Sequence, residues 1–174
     1  MDDVTNWALR AQHGDPLAEA AFVRATQAEV WRLCAALVDA GVADDLTQEA
    51  YLRAFRALPA FEARSGARTW LFGIARRTCA DHLRSVVRRR RLDEVLRRRA
   101  LAESAPDPAS VTSANDLLSQ IPHDRRGAFV LTQLLGLSYE ETAAVEGVPI
   151  GTIRSRVARA RAQLVDLVSE AAAS

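Results

Sequence analysis

The feature that most constrains this chain is a 13-residue segment without periodicity that separates two stretches with helical patterning. Residues 101–113 read LAESAPDPASVTS, and their two prolines and small polar side chains predict a flexible linker. On both sides of it, apolar residues recur every three or four positions, and no alternating strand pattern is present. The sequence therefore predicts an all-α protein with two small helical domains, residues 1–100 and 114–174, joined by this linker.

Charge is distributed unevenly along the chain, although the formal net charge is only +1. Residues 64–99 contain 12 Arg against three acidic residues, and residues 147–174 contain four Arg against two. Residues 1–63 and 100–146 each have a net charge of −5, and all 23 basic residues are Arg. A guanidinium fork binds phosphates or the edge of guanine, so the basic parts favour nucleic acid and the acidic parts a protein partner.

Several classes of protein do not fit the sequence. It has no apolar run of about 18 residues and no apolar signal at its acidic start, which predicts a cytoplasmic protein. Cys34 and Cys79 stand alone, without the spacing of a zinc site or a disulfide framework. The three His and the carboxylates form no catalytic set, so no enzyme activity, catalytic residue, metal or cofactor is expected.

The strongest local pattern is a helix-turn-helix near the C-terminus. Ser138 and Glu141 match a capping box at the start of one helix, and Gly147 lies in the turn before the next. Ile153 is spaced to pack the second helix onto the first. Because the start of such a helix enters the major groove, the candidates for base or phosphate contacts are Thr152, Arg154, Ser155 and Arg156, with Arg159 and Arg161 on phosphates. The alternative is a solvated basic face on a small bundle.

A second candidate is the basic helix predicted from about residue 69. It carries Trp70 near its start and arginines at intervals of seven (Arg77, Arg84 and Arg91), after a small polar loop at residues 62–68. Such a helix can hold phosphates, and the loop and the aromatic ring can enclose an unpaired base. Trp70 also has a simpler interpretation as a core residue, and the arginines as a solvated surface.

Three segments, taken together, resemble a known family. DDLTQEAYLRAF at 44–55 is similar to the segment with which bacterial sigma factors bind core RNA polymerase. ARTWLFGIARR at 67–77, with DHLR at 81–84, resembles their promoter −10 segment. LSYEETA at 137–143 and GVPIGTIRSRVARAR at 147–161 resemble their −35 helix-turn-helix. Their order and separation resemble the extracytoplasmic-function (ECF, group IV) sigma factors of bacterial RNA polymerase.

The resemblance implies a role for each surface. Core polymerase would be bound by Asp44, Asp45, Gln48, Glu49, Leu52, Arg53 and Arg56, although first-turn carboxylates also complement a helix dipole. The −10 element would be contacted and opened by Arg64, Ser65, Arg68, Thr69, Trp70, Arg76, Arg77, Asp81, His82, Arg84 and Arg88. The −35 element would be bound by Ser138, Tyr139, Thr152, Arg154, Ser155, Arg156, Arg159 and Arg161. Many family members have Asn where this chain has Arg77, so a base preference does not carry over there.

The same resemblance implies the partners. These are core RNA polymerase, through the clamp helices of its largest subunit, promoter DNA, and an anti-sigma factor that holds the protein inactive in the cytoplasm. Residues 1–100 would be the region 2 domain and residues 114–174 the region 4 domain. A free linker of this length averages about 20 Å end to end, which predicts a compact free protein that core enzyme spreads apart.

Two other hypotheses remain open at this point. The chain could be a stand-alone DNA-binding regulator that binds an operator and an effector, or a helical adaptor without DNA contact. The acidic patch at residues 44–49 favours the sigma factor, because a stand-alone regulator has no need of a surface for core polymerase.

Overall fold

The computed structural model describes residues 2–97 and 114–173, and every regular element in these two ranges is helical. The N-terminal helices are α1 (Asp3–Gln12), α2 (Pro16–Leu37), α3 (Ala43–Ala57) and α4 (Ala67–Arg97). The C-terminal helices are α5 (Ala114–Ser119), α6 (His123–Phe129), α7 (Tyr139–Glu146) and α8 (Ile150–Ala173). Short 3₁₀ turns at Ala40–Val42 and Leu58–Ala60 and a π turn at Val130–Leu134 complete the list. The all-α prediction is confirmed, and the predicted linker 101–113 lies outside the described residues.

Helix α4 begins at Ala67, two residues before its predicted start, and α2 begins directly after a local capping residue. Asp15 caps α2, since its carboxylate accepts the backbone N–H of Leu17 and Ala18 at 2.9 and 3.1 Å. Helix α2 ends at Leu37, and the backbone N–H of the next residue, Val38, donates to the carbonyl oxygen of Cys34 at 2.9 Å. None of the helices in the described ranges has both the length and the apolar character needed to cross a membrane.

The core of the N-terminal domain forms where α2, α3 and α4 pack together and α1 covers one side. Its largest fully buried side chains include Phe22, Leu33 and Phe72. Trp31 belongs to the same apolar pattern on α2 but is 37% exposed, because its indole N–H donates to the Asp44 carboxylate at 2.9 Å. Helical spacing alone therefore overestimates how much of α2 is buried.

The helix-turn-helix is formed by α7 and α8. Ser138 Oγ accepts the N–H of Glu141, and the Glu141 carboxylate accepts the N–H of Ser138, so the predicted capping box is complete. Gly147 has φ +67°, a left-handed conformation that lets the chain turn sharply into α8. Ile153 is fully buried in a cluster with Tyr139 at the start of the first helix, as predicted.

The two domains contact each other. Helix α7 packs on α4, while α5 and α6 approach α2. Ile121, Val130 and Leu131 of the second domain belong to the same buried cluster as Leu71 and Phe72 of the first. The free protein is therefore compact, as its sequence predicted.

Candidate nucleic-acid interface

The exposed face of α3 is an acidic patch. Five of its predicted polymerase contacts are exposed to solvent, namely Asp44, Asp45, Gln48, Leu52 and Arg56. The remaining two, Glu49 and Arg53, are partly buried. Because α3 buries Leu46, Ala50 and Ala54 on its opposite side, the packing of the domain fixes which residues this patch presents.

Arg53 connects this patch to α4. Its Nε donates to Glu49 at 2.7 Å and its Nη1 to Asp81 at 2.6 Å. These bonds raise the pKa of Arg53, Glu49 having the larger effect, and the hydrogen bonds from Arg53 and then Arg84 lower the pKa of Asp81. The structure thus brings Asp81, predicted to contact DNA, together with a residue predicted to contact polymerase.

The loop before α4 encloses a cavity of about 320 Å³. Its walls include Phe61 and Trp70, whose ring centroids lie 4.8 Å apart at an interplanar angle of 43°. Arg64 and Ser65 line the rim. Phe61 is buried and Trp70, packed against it, is partly exposed, which agrees with the interpretation of Trp70 as a core residue. The contact of its exposed part with an unpaired base stays a prediction.

The arginines of α4 and the loop before it divide into two groups. Arg77, Arg84 and Arg88 are exposed to solvent, with His82 partly exposed beside them. Arg68 and Arg76 instead turn toward the second domain and are held there by its polar groups. The first group, together with Arg64 in the loop, is exposed to solvent while the domains are in contact.

Arg68 is held on three sides. Its guanidinium donates to both carboxylate oxygens of Glu29 at 2.8 and 2.6 Å and to the carbonyl oxygen of Leu135 at 2.5 Å. It also lies over the Phe72 ring, 5.1 Å from the centroid. The neighbouring Thr69 hydroxyl donates to Glu141 of the second domain at 3.3 Å.

Of the predicted −35 residues on α8, Thr152, Ser155, Arg156 and Arg159 lie on the side away from the core, and Arg154 and Arg161 flank that side. Ser138 and Tyr139 lie at the start of α7. Arg154, Ser155, Arg159 and Arg161 are exposed, while Thr152, Arg156 and Tyr139 are partly buried. The Ser138 hydroxyl accepts the capping hydrogen bond, and Arg161 donates to Gln133. Ile153 and Val157 are buried on the opposite side of α8, which packs against the core of the domain.

Glu146 is a residue that the sequence reasoning missed. Its carboxylate is 2% exposed and accepts from Arg76 at 2.8 and 3.2 Å, with Arg156 at 3.7 Å. Arg156 also pairs with Asp124 at 3.2 Å. One carboxylate thus binds an arginine predicted for the −10 element and another predicted for the −35 element.

The position of Glu146 is itself a sequence signal. Glu146 is the last residue of α7, where the helix dipole disfavours a negative charge. A carboxylate at such a position is tolerated when cations neutralise it, and Arg76 and Arg156 supply them. The sequence does not indicate which cations neutralise Glu146, because Arg76 lies 70 positions away along the chain.

A groove of about 650 Å³ runs beside this ion pair, between α4 and the start of α6. Basic and apolar side chains line it, among them Arg76, Leu83, Val87, Arg88 and His123. Both ring nitrogens of His123 are buried, and neither has a hydrogen-bond partner among the described residues. A neutral imidazole is the form that this environment favours.

We expect acid to open the domain interface. Burial, with Arg76 and Arg126 nearby, lowers the pKa of His123 below its ordinary value of 6.5, against the opposing effect of Glu146 and Asp124. We call the protein with its two domains in contact the closed form and the protein with its domains apart the open form. Because separation of the domains exposes the His123 ring to water, the open form binds the proton more tightly. The closed form is then stable above pH 6.5 and is progressively lost as the pH falls through the lowered value. Energy transfer between dyes on α1 and α8, followed from pH 8 to pH 5, measures this.

The control is His123→Gln, which cannot titrate and is expected to flatten the response. Hydrogen bonding from Ser138 lowers the pKa of Glu141 at the same interface from 4.5, so its titration falls below this range. An interdomain distance that does not change between pH 8 and pH 5 in the unmodified protein would contradict the prediction.

Comparison with known proteins agrees with this arrangement. Residues 22–99 match the family model described as Sigma-70 region 2, and residues 113–164 match the one described as Sigma-70, region 4. ECF RNA polymerase sigma factor SigC of Mycobacterium tuberculosis is 51% identical over 168 residues, covering 93% of this chain and 89% of that protein. The ECF RNA polymerase sigma-E factor of Escherichia coli is 34% identical over 166 residues, covering 87% of each.

Solved structures show the same fold. RpoE from Bartonella quintana, in complex with the anti-sigma factor NepR, has a TM-score of 0.66 at 30% identity, covering 84% of this chain and 94% of that one. CnrH, in complex with the cytosolic domain of CnrY, has a TM-score of 0.75 at 23% identity over 97% of this chain and 99% of that one, which supports the fold. The chain therefore belongs to the ECF sigma factors of RNA polymerase, the transcription initiation factors that carry sigma-70 regions 2 and 4.

Proposed function

We propose that this chain binds core RNA polymerase, directs it to promoters by contacting the −35 and −10 elements, and helps to melt the −10 region. The region 2 domain then comprises residues 1–100, the linker residues 101–113, and the region 4 domain residues 114–174. The chain supplies recognition and catalyses no reaction of its own, since polymerisation belongs to the core enzyme. It acts in the cytoplasm, and on the nucleoid when bound to polymerase.

The observation that carries the proposal is the separation of charge over the folded surface. Asp44 and Asp45 lie exposed on α3, whereas exposed arginines dominate α4 and the first half of α8. An acidic surface repels the DNA backbone, so it suits a protein partner, and guanidinium groups bind phosphates and guanine edges. One chain therefore presents one surface for a protein and two for DNA.

At the −10 element, we propose that the loop cavity takes up a base flipped out of the non-template strand. The partly exposed Trp70 ring, supported from behind by the buried Phe61, would stack on it while Arg64 at the rim holds the adjacent phosphate. Stacking is available only to an unpaired base, so capture shifts the duplex toward the melted state. Arg77, Arg84 and Arg88 on α4 would hold the strand along its backbone.

At the −35 element, we propose that α8 enters the major groove with its N-terminal turns. Arg154 and Ser155 are exposed there, and Arg159 and Arg161 continue the exposed side toward the phosphates. Arg156 would join them after leaving Glu146, because the same guanidinium cannot bind both partners. The closed arrangement and promoter binding are therefore mutually exclusive, and binding to core polymerase would separate the domains.

We also propose that an anti-sigma factor holds the protein inactive. The complexes of RpoE with NepR and of CnrH with CnrY support this by analogy. The groove between α4 and α6 supports it physically, because Val87 is exposed there among arginines, a combination that fits an amphipathic segment with acidic residues. Such a segment would cover arginines that we propose to contact promoter DNA, among them Arg84 and Arg88.

The experiment that tests the proposal is run-off transcription with Arg156→Ala. In holoenzyme, where the domains are apart, loss of this fork is expected to lower initiation by about ten- to a hundred-fold, the range of one good base contact. The template is a promoter selected from a random library by the unmodified holoenzyme. Arg10→Ala is the matched control, since Arg10 is exposed on α1 and pairs with Asp15 at 2.6 Å. Equal transcription by both variants would contradict the assignment of α8 to DNA.

A further inference from the structure

Helix α1 lies before the part of the chain that matches the region 2 family model, yet it bonds to both ends of the loop that forms the base cavity. At the far end of this loop, the buried hydroxyl oxygen of Thr5 accepts the backbone N–H of Ala67 at 2.9 Å. Ala67 is the first residue of α4, where backbone N–H groups have no partner within the helix. Thr5 therefore caps a helix that begins 62 residues later.

At the near end, Gln12 holds the chain as it enters the loop. Its Nε2 lies 3.0 Å from each of three carbonyl oxygens, those of Leu58, Pro59 and Phe61. The two N–H groups of the amide are thus shared among three acceptors in one turn. These bonds fix the turn from which the Phe61 ring, one wall of the cavity, projects.

Between these two attachments the loop has little regular structure of its own. Ala63 has φ +53°, a left-handed conformation that a non-glycine residue adopts only when its surroundings impose it. The cavity needs the Trp70 ring held in place, and Phe61, which packs against that ring, holds it. A site formed before binding need not be ordered during capture. The attachments to α1 supply that constraint.

We infer that α1 is a built-in support of the base cavity, and that Gln12 and Thr5 are positioning residues for strand opening, which they affect through the loop. The inference rests on the proposed capture of a flipped base. It predicts that weakening the support slows promoter opening without weakening the binding of core polymerase, because the acidic patch on α3 makes no contact with Gln12 or Thr5 in any of these bonds.

The test uses holoenzyme and a promoter selected by the unmodified protein, with 2-aminopurine in the −10 region to report melting. Gln12→Met removes the donors but keeps the length of the chain, and is expected to slow opening about ten-fold. Gln12→Lys supplies three donors to the three carbonyl oxygens and is expected to restore the rate to within about two-fold. Asn6→Ala, at an exposed position of α1, is the matched control and is expected to leave the rate unchanged.

An abasic scan of the non-template strand separates positioning from general stability. A template that lacks the captured base is expected to slow promoter opening by the unmodified protein. On that template, the unmodified protein and Gln12→Met are expected to open the promoter at the same rate. An equal defect of Gln12→Met on intact and abasic templates would overturn the inference, as would a rate equal to that of the unmodified protein on the intact template. Failure of the unmodified holoenzyme to open any template would overturn the proposed function and this inference with it.

Discussion

Asp45→Arg combined with Gln48→Ala is expected to abolish retention of the protein on immobilised core RNA polymerase, with a loss of affinity of about a hundred-fold or more. Both side chains are exposed on α3, so their replacement leaves the packing of the domain intact. A reversed charge in the centre of a complementary interface costs several kcal/mol, because it replaces an attraction by a repulsion. Asp44 is left unchanged, since it accepts the hydrogen bond of Trp31.

The matched control for this pair is Asp3→Arg with Gln27→Ala, which makes the same chemical changes at exposed positions of α1 and α2. It is expected to bind core enzyme as the unmodified protein does. Circular dichroism should give both double variants thermal midpoints close to that of the unmodified protein. Undiminished binding by the α3 variant would show that polymerase is contacted elsewhere.

Glu146→Gln is expected to open the free protein. The change keeps the volume of the side chain but leaves Arg76 and Arg156 facing a neutral amide in a site where Glu146 was 2% exposed. Removing one partner of a buried ion pair costs about 3–5 kcal/mol. Because both arginines can regain water when the domains separate, we expect this cost to shift the equilibrium toward separated domains, by about a hundred-fold to a few thousand-fold.

Two measurements check this expectation. Energy transfer between the domains of the free protein should fall, and fluorescence anisotropy should show tighter binding of free protein to a duplex with the −35 element. Holoenzyme should bind the same DNA with unchanged affinity, because its domains are already apart. Glu140→Gln, exposed on the same helix, is the control. Unchanged energy transfer in Glu146→Gln would mean that this ion pair does not hold the domains together.

Local chemistry explains why so much of the fold could be predicted. The starts of α2 and α7 depend on residues within one turn, namely Asp15 beside Pro16 and Ser138 three positions before Glu141, and such local signals can be recognised in the sequence. The burial of Ile153 follows in the same way from helical spacing. The helix-turn-helix could therefore be placed to within a residue or two.

The contacts between distant parts of the chain could not be predicted. Gln12 reaches Phe61 across 49 positions, and Arg76 reaches Glu146 across 70. Periodicity says which face of a helix is buried but not against which partner. Arg156 illustrates the difference, because its spacing predicts a DNA contact, while its partners Asp124 and Glu146 depend on how the chain folds and how the two domains meet.

The central claim is that this chain directs core RNA polymerase to promoters, and initiation in a purified system tests it most directly. Core enzyme, with or without the unmodified protein, is supplied with a library of random templates, and the RNA 5′ ends are mapped. We expect discrete start sites that require the chain and share two recurring upstream elements at constant spacing. RNA made equally with and without the chain, or no RNA from any template, would contradict it.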